Sequence, residues 1–159
     1  MKKMDSDNKS TVCSKIKFSW HLINRMYNAA GGGHDMTTAM GFVLLNIHPE
    51  HGTASTKIGP LLGMESKSLS RMLNVLEEKQ LIKRKASTQD KRSVIIFLTP
   101  KGLEKRELSK QTVKKFNQIV KDKLGKKKVK DFFKTIDTIN ELADKITADQ
   151  LVPNIKITK

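Results

Sequence analysis

The chain has 159 residues, with 31 Lys and Arg against 16 Asp and Glu, and a formal charge of +15. That length suits one domain with or without an added oligomerisation element, and 37% apolar residues can build only a lean core. The single cysteine excludes an intramolecular disulfide and a cysteine-based zinc site, no apolar run offers a bilayer span, and the surplus of cations points to a polyanion as partner.

Residues 1–10 are polar, with no apolar signal core behind them; a disordered tail on a cytoplasmic protein, away from any membrane, is expected. From Val12 to about Ala30, the residues Ile16, Trp20, Ile23 and Tyr27 recur at spacings of four and three, which predicts an amphipathic helix. Gly31-Gly32-Gly33 should end it, because each glycine costs a helix about 1 kcal/mol relative to alanine. A second helix is predicted from Thr37 to Ile47, breaking at His48-Pro49, since the residue before a proline avoids helical geometry. Ser55 is placed to cap a short helix holding Ile58, Leu61 and Leu62, and Gly63 offers the turn after it.

Another helix should begin near Ser66. Leu69, Met72, Leu73 and Leu76 fall at i, i+3, i+4 and i+7 and draw its buried stripe. Lys67, Arg71 and Asn74 then point away from that stripe, with Ser68 and Ser70 on its flanks. A short helix, a tight turn and a helix with a basic outer face make a helix-turn-helix layout. Two strands around a polar tip follow, the second being the β-branched run Ser93 to Leu98. Residues 83–92 between them hold five basic side chains against one acidic. Thr99-Pro100 starts a long helix to about Leu124, and Gly125 separates it from a last helix over about Lys126 to Ile146.

The fold class expected is mainly α with a small β-hairpin wing. Residues 36–100 form a winged helix-turn-helix, and 11–35 with 101–159 form a helical dimerisation region, because the terminal helices have more apolar surface than the middle segment can cover.

The stretch Ala54 to Gly102 resembles the MarR family of bacterial transcription regulators. The resemblance rests on Ile58-Gly59-Pro60-Leu61-Leu62-Gly63-Met64, Ser68-Leu69-Ser70-Arg71-Met72-Leu73 and Leu76-Glu77-Glu78-Lys79-Gln80-Leu81-Ile82. In the wing it rests on Asp90-Lys91-Arg92 and Leu98-Thr99-Pro100-Lys101-Gly102, which match a D-x-R followed by L-T-x-x-G. It implies a homodimeric regulator, a repressor, on a pseudo-palindromic double-stranded DNA operator. Its two recognition helices would enter successive major grooves, half-sites lying about 10 base pairs apart. Ser66, Lys67, Ser68, Ser70, Arg71 and Asn74 are the expected recognition-helix contacts, with Arg71 suited to a bidentate grip on guanine. In the wing, Lys83, Lys85, Asp90, Lys91 and Arg92 are the expected contacts, with Arg92 entering the minor groove and Asp90 orienting it. The resemblance also implies a small phenolic or lipophilic effector, for which Trp20, Met40 and Phe42 are candidate pocket residues. Two positions depart from the family pattern: Gln80 stands where glycine is usual, and Pro60 lies inside the first helix of the motif.

Weaker signals have ordinary explanations beside the functional ones. Cys13, near the start of the first helix, resembles the reactive cysteine of the family's peroxide-sensing branch, with Tyr27 near one of that branch's tyrosines. A redox-sensing regulator of the same fold is therefore one alternative, and a non-specific basic nucleic-acid binder is another. His48, Glu50 and His51 suggest a metal set, but the proline between them favours a polar loop and no metal. Lys126-Lys127-Lys128 reads as a solvated turn. No phosphate loop, nucleophile elbow or cofactor motif is present, so neither enzyme activity nor a cofactor is expected.

Overall fold

A computed structural model describes residues 10–86 and 94–151. The chain divides into two compact units, residues 1–113 and 114–159. Its elements in order are α1 (Val12–Gly32), α2 (Thr38–Leu45), β1 (Thr53–Ala54), α3 (Ser55–Leu62), α4 (Ser66–Glu78), β2 (Ile82–Ala86), β3 (Val94–Leu98), α5 (Pro100–Leu124), α6 (Lys126–Lys145) and α7 (Ala148–Leu151).

In the first unit α1 opens with a reciprocal cap: the Ser14 N–H donates to Thr11 Oγ1, and the Thr11 N–H donates to Ser14 Oγ. The helix passes through Gly31 and Gly32 instead of stopping before them. The glycine penalty is outweighed there by a turn that needs it, since a Cβ on Gly31 would stand 2.6 Å from the Met36 carbonyl oxygen, and the Met36 N–H donates to Gly31 O. Helix α2 is apolar on every side, which suits a buried helix, and ends at Leu45, two residues short of the expected limit. Thr38 ties it to α1: its N–H donates to Asn28 Oδ1 and its hydroxyl to Asn24 O.

Ser55 is the first residue of α3 and not its cap. Ala54 takes the cap position without a side-chain bond, because Thr53 and Ala54 are held extended as a third strand, opposite Ile96 and Ile95. The sheet order is β1-β3-β2, antiparallel throughout, so the wing hairpin has an extra strand on its inner edge. Gly63, at φ +58°, closes α3 in the left-handed conformation that glycine adopts without strain. Pro60 stands inside α3 and leaves that short helix without one of its internal hydrogen bonds.

The core joins these pieces. Val43, Leu44 and Ile47 come from α2 and its end, Ile58 from α3, Leu69, Leu73 and Leu76 from α4, and Leu81, Ile82, Ile96 and Leu98 from the sheet and its entry. The stripe read along α4 is thus the buried one, with Met72 at its margin. In the second unit Val129 of α6 is buried, while Phe132, Phe133 and Leu142 remain at least half exposed.

Candidate nucleic-acid interface

With Leu69, Leu73 and Leu76 in the core, the period of α4 turns Ser66, Lys67, Ser68, Ser70, Arg71 and Asn74 outward, and all six are exposed. No acidic side chain occupies the first turn of α4. Lys67 and Arg71 supply positive charge there, while the exposed Glu65 at the N-cap offsets part of that of the amide end.

The hairpin brings a second set of cations. Along β2 only Ile82 is buried, and Lys83, Arg84 and Lys85 are exposed. Lys83 lies opposite Phe97 and Lys85 opposite Ile95, while Arg84 lies opposite Ile96 on the other face of the ribbon. The Lys85 ammonium stands 5.5 Å from the Phe97 ring centroid, a cation–π distance that holds it over the sheet. Arg84 turns to α4, donating to Asn74 Oδ1 at 2.7 Å and pairing with Glu77 at 3.2 Å. Asp90, Lys91 and Arg92, expected at the wing tip, lie outside the described residues.

The joint behind this surface explains the L-T-x-x-G pattern physically. The Thr99 N–H donates to Leu81 O, its hydroxyl donates to Gln80 O at 2.7 Å, and the same hydroxyl oxygen accepts from the Gly102 N–H at 3.0 Å. Gly102 is required because a Cβ there would lie 1.9 Å from the Leu81 carbonyl oxygen. One threonine thus caps α5 and clamps the end of α4 to the start of β2. Lys101 adds a bond from its ammonium to Lys79 O, and the Lys79 ammonium pairs with Asp35. The hydrogen bond from Lys79, and then its charge, hold the Asp35 carboxyl below the usual carboxylate range.

Other candidate positions are placed less uniformly. Trp20 and Phe42 meet as a tilted pair, 6.0 Å between centroids, and line an apolar groove with Leu61, Leu62 and Met64. Met40 is instead 3% exposed and packs in the core with Leu44 and Ile47, so it lines neither that groove nor a nearby cavity. This cavity, between α1, α2 and α5, is bounded by Tyr27, Met36, Phe42, Leu108 and Val113. Burial pushes the Tyr27 phenol up, and its ring meets Phe42 edge-on at 6.1 Å. Cys13 is a free, exposed thiol in the first turn of α1. His48 and His51 stack at 4.7 Å, and His48 Nδ1 accepts from the backbone N–H groups of Glu50 and His51. That nitrogen is committed to shaping a turn, and among the described residues no group of three metal-ligating side chains forms.

Arg84 was missed among the expected contacts. The signal was available in part: period two along β2 sets it on the face of Ile82, toward the core and its helices.

Residues 36–94 match the model of the MarR family. That segment is similar to the winged helix-turn-helix of the MarR family. The TtmR HTH-type transcriptional regulator of Methylorubrum extorquens is 32% identical over 93 residues, which cover 58% of this chain and 48% of that protein. This chain therefore spans about half the length of that relative. An uncharacterised HTH-type regulator of Bacillus subtilis, YhbI, is 27% identical over 69% of this chain and 71% of its own. MepR of S. aureus, solved as a DNA complex, shares the fold with a TM-score of 0.77 at 21% identity, over 84% of this chain and 98% of its own. The matched segment contains α2, β1, α3, α4 and β2, which supply most of the core of the first unit and the outward face of α4. No helix among the described residues is long and apolar enough to cross a membrane.

Proposed function

We propose that this chain is a transcriptional regulator that binds duplex DNA sequence-specifically, as a homodimer on a pseudo-palindromic operator. The observation that carries the proposal is the Arg84 bridge from β2 to Asn74 of α4, which joins two exposed basic elements into one surface. Lys67 and Arg71 on α4 and Lys83 and Lys85 on β2 supply the phosphate contacts and base-edge donors such a surface needs. Asp90, Lys91 and Arg92 are the minor-groove contacts under the same proposal.

Dimer formation is supported by apolar side chains the single chain leaves open. Ile16, Trp20 and Met26 on α1 are exposed, as are Phe132, Phe133 and Leu142 on α6. A second copy covering such surfaces would remove them from water at about 25 cal/mol per Å². The regulator acts as a repressor when its bound dimer blocks access of polymerase. A phenolic or lipophilic effector, lodged near Phe42 and Trp20, would relieve repression only by binding the DNA-competent and incompetent states unequally. A redox input through Cys13 is the second reading, favoured by its exposure in the first turn of α1. DNA affinity unaltered by peroxide would dismiss it.

Selection of bound duplexes from a random pool tests the main proposal. Inverted half-sites about 10 base pairs apart should emerge, with a preference of about 1000-fold or more over random DNA at physiological salt. A pool that is retained without sequence enrichment would identify a non-specific basic binder instead.

A further inference from the structure

Arg84 is the one described side chain of the hairpin that reaches the outer part of α4. Its Nη2 donates to Asn74 Oδ1 at 2.7 Å and its Nη1 lies 3.2 Å from Glu77 Oε2. Asn74 and Glu77 are three apart on one helix, so their side chains are neighbours and a planar fork can meet both. A guanidinium carries donors only. The atom of Asn74 that faces it must therefore be the carbonyl oxygen, because the flipped amide would set donor against donor. The sheet register accounts for the reach, since Arg84 pairs with Ile96 on the ribbon face that also carries the buried Ile82 and Leu98.

We infer that Arg84 is a specificity-determining positioning residue, which takes one lone pair of Asn74 Oδ1 and orients the amide, so that Asn74 meets a base pair chiefly through its Nδ2 donors. The inference rests on the duplex-binding proposal above. An asparagine reads adenine with both ends of its amide, donating to N7 and accepting from N6. With one of its two lone pairs held by Arg84, the Asn74 oxygen is a weaker acceptor for adenine N6. Guanine, which offers acceptors at both N7 and O6, suits the donors that remain. Glu77 has a second effect. It neutralises Arg84 locally, so the β2 cations left to displace counterions from phosphate are Lys83 and Lys85 on the strand's other face.

The test compares duplex selection and the salt dependence of binding for the wild type, Arg84→Ala, Asn74→Ala and the double variant. Arg84→Ala frees Oδ1, so adenine should gain about tenfold or more over guanine at one position in each half-site. Asn74→Ala should flatten the preference at that same position, and the double variant should match it. The slope of log affinity against log salt should stay at its wild-type value in Arg84→Ala. Should Arg84→Ala fail to fold, Arg84→Met keeps the apolar stem without any donor and should show the same shift toward adenine. An unaltered preference in the Arg84 variants overturns the inference while leaving duplex reading intact. A uniform loss across all sequences, with a slope shallower by about 0.9, makes Arg84 a phosphate contact and also overturns it. A wild type that selects no sequence removes the duplex-reading proposal and this inference together.

Discussion

Gln80 sits at φ +58° immediately after the helix that would read DNA, and replacing it with glycine gives a calculable change. The backbone must turn left-handed here. The Leu81 N–H reaches back to Leu76 O at 2.9 Å and the Gln80 N–H to Glu77 O at 2.8 Å, which closes α4 and delivers Leu81 to the core. For a side chain with a Cβ, that conformation costs about 1–2 kcal/mol. Introducing glycine gives back about 0.4–1 kcal/mol, because the unfolded chain gains freedom. Gln80 is exposed and its carbonyl bond to Thr99 is a backbone feature, so the substitution sacrifices no packing. The balance favours Gln80→Gly by about 0.5–1 kcal/mol, the difference between the strain relieved and the entropy lost. Urea unfolding should show a higher midpoint with an unaltered slope. Gln80→Ala keeps the Cβ and should stay within about 0.5 kcal/mol of the wild type. A glycine variant no more stable than the alanine variant would refute the argument that left-handed strain dominates at this joint.

Four further outcomes follow from the same geometry. Gly102→Ala places a Cβ 1.9 Å from Leu81 O and should destabilise the chain. The cost should be about 3 kcal/mol, from overpacking and the weakened Thr99 bond; a midpoint shift worth under about 1 kcal/mol would contradict the close approach. Arg71→Ala should lose about 1–3 kcal/mol on the selected operator with little change on random DNA. Lys83→Ala should weaken both alike and reduce the salt slope by about 0.9; titrations at several salt concentrations separate the two, and equal losses for Arg71→Ala would make it a phosphate contact. Asp35, whose carboxyl is held below its ordinary 3.8, contributes stability at neutral pH that disappears as pH falls through its depressed folded value. Asp35→Asn should therefore trail the wild type in denaturant midpoint at pH 7, with the gap closing below pH 3.8; a constant gap would assign the effect to backbone preference at its φ of +55°.

What could be read from the sequence, and what could not, divides along a physical line. The outward set on α4 was legible because Leu69, Leu73 and Leu76 repeat at helical spacing, and the buried face fixes the exposed one within a single element. Strand β1 was not legible, since two residues cannot display a period, and Thr53 and Ala54 are extended only because β3 pairs with them. That pairing in turn displaced Ser55 from the cap position its chemistry suggested. Met40 is a candidate pocket residue only through the family resemblance, yet an all-apolar helix has no side reserved for a pocket, and packing sets Met40 into the core.

Arg84 and Gly102 carry this division into the candidate interface. The letters of the L-T-x-x-G pattern could be matched by eye, but the demand for glycine comes from the Leu81 carbonyl, brought in by a different strand. Arg84 could be assigned to a face of β2 by alternation, while its partners Asn74 and Glu77 follow only once β2 is paired and α4 is docked. Local period thus orients a side chain, and tertiary pairing decides what that side chain is free to do. For Asn74 the consequence is chemical: exposure alone would leave its oxygen free on both lone pairs, whereas the docked hairpin sets a guanidinium donor on one of them and so orients the amide.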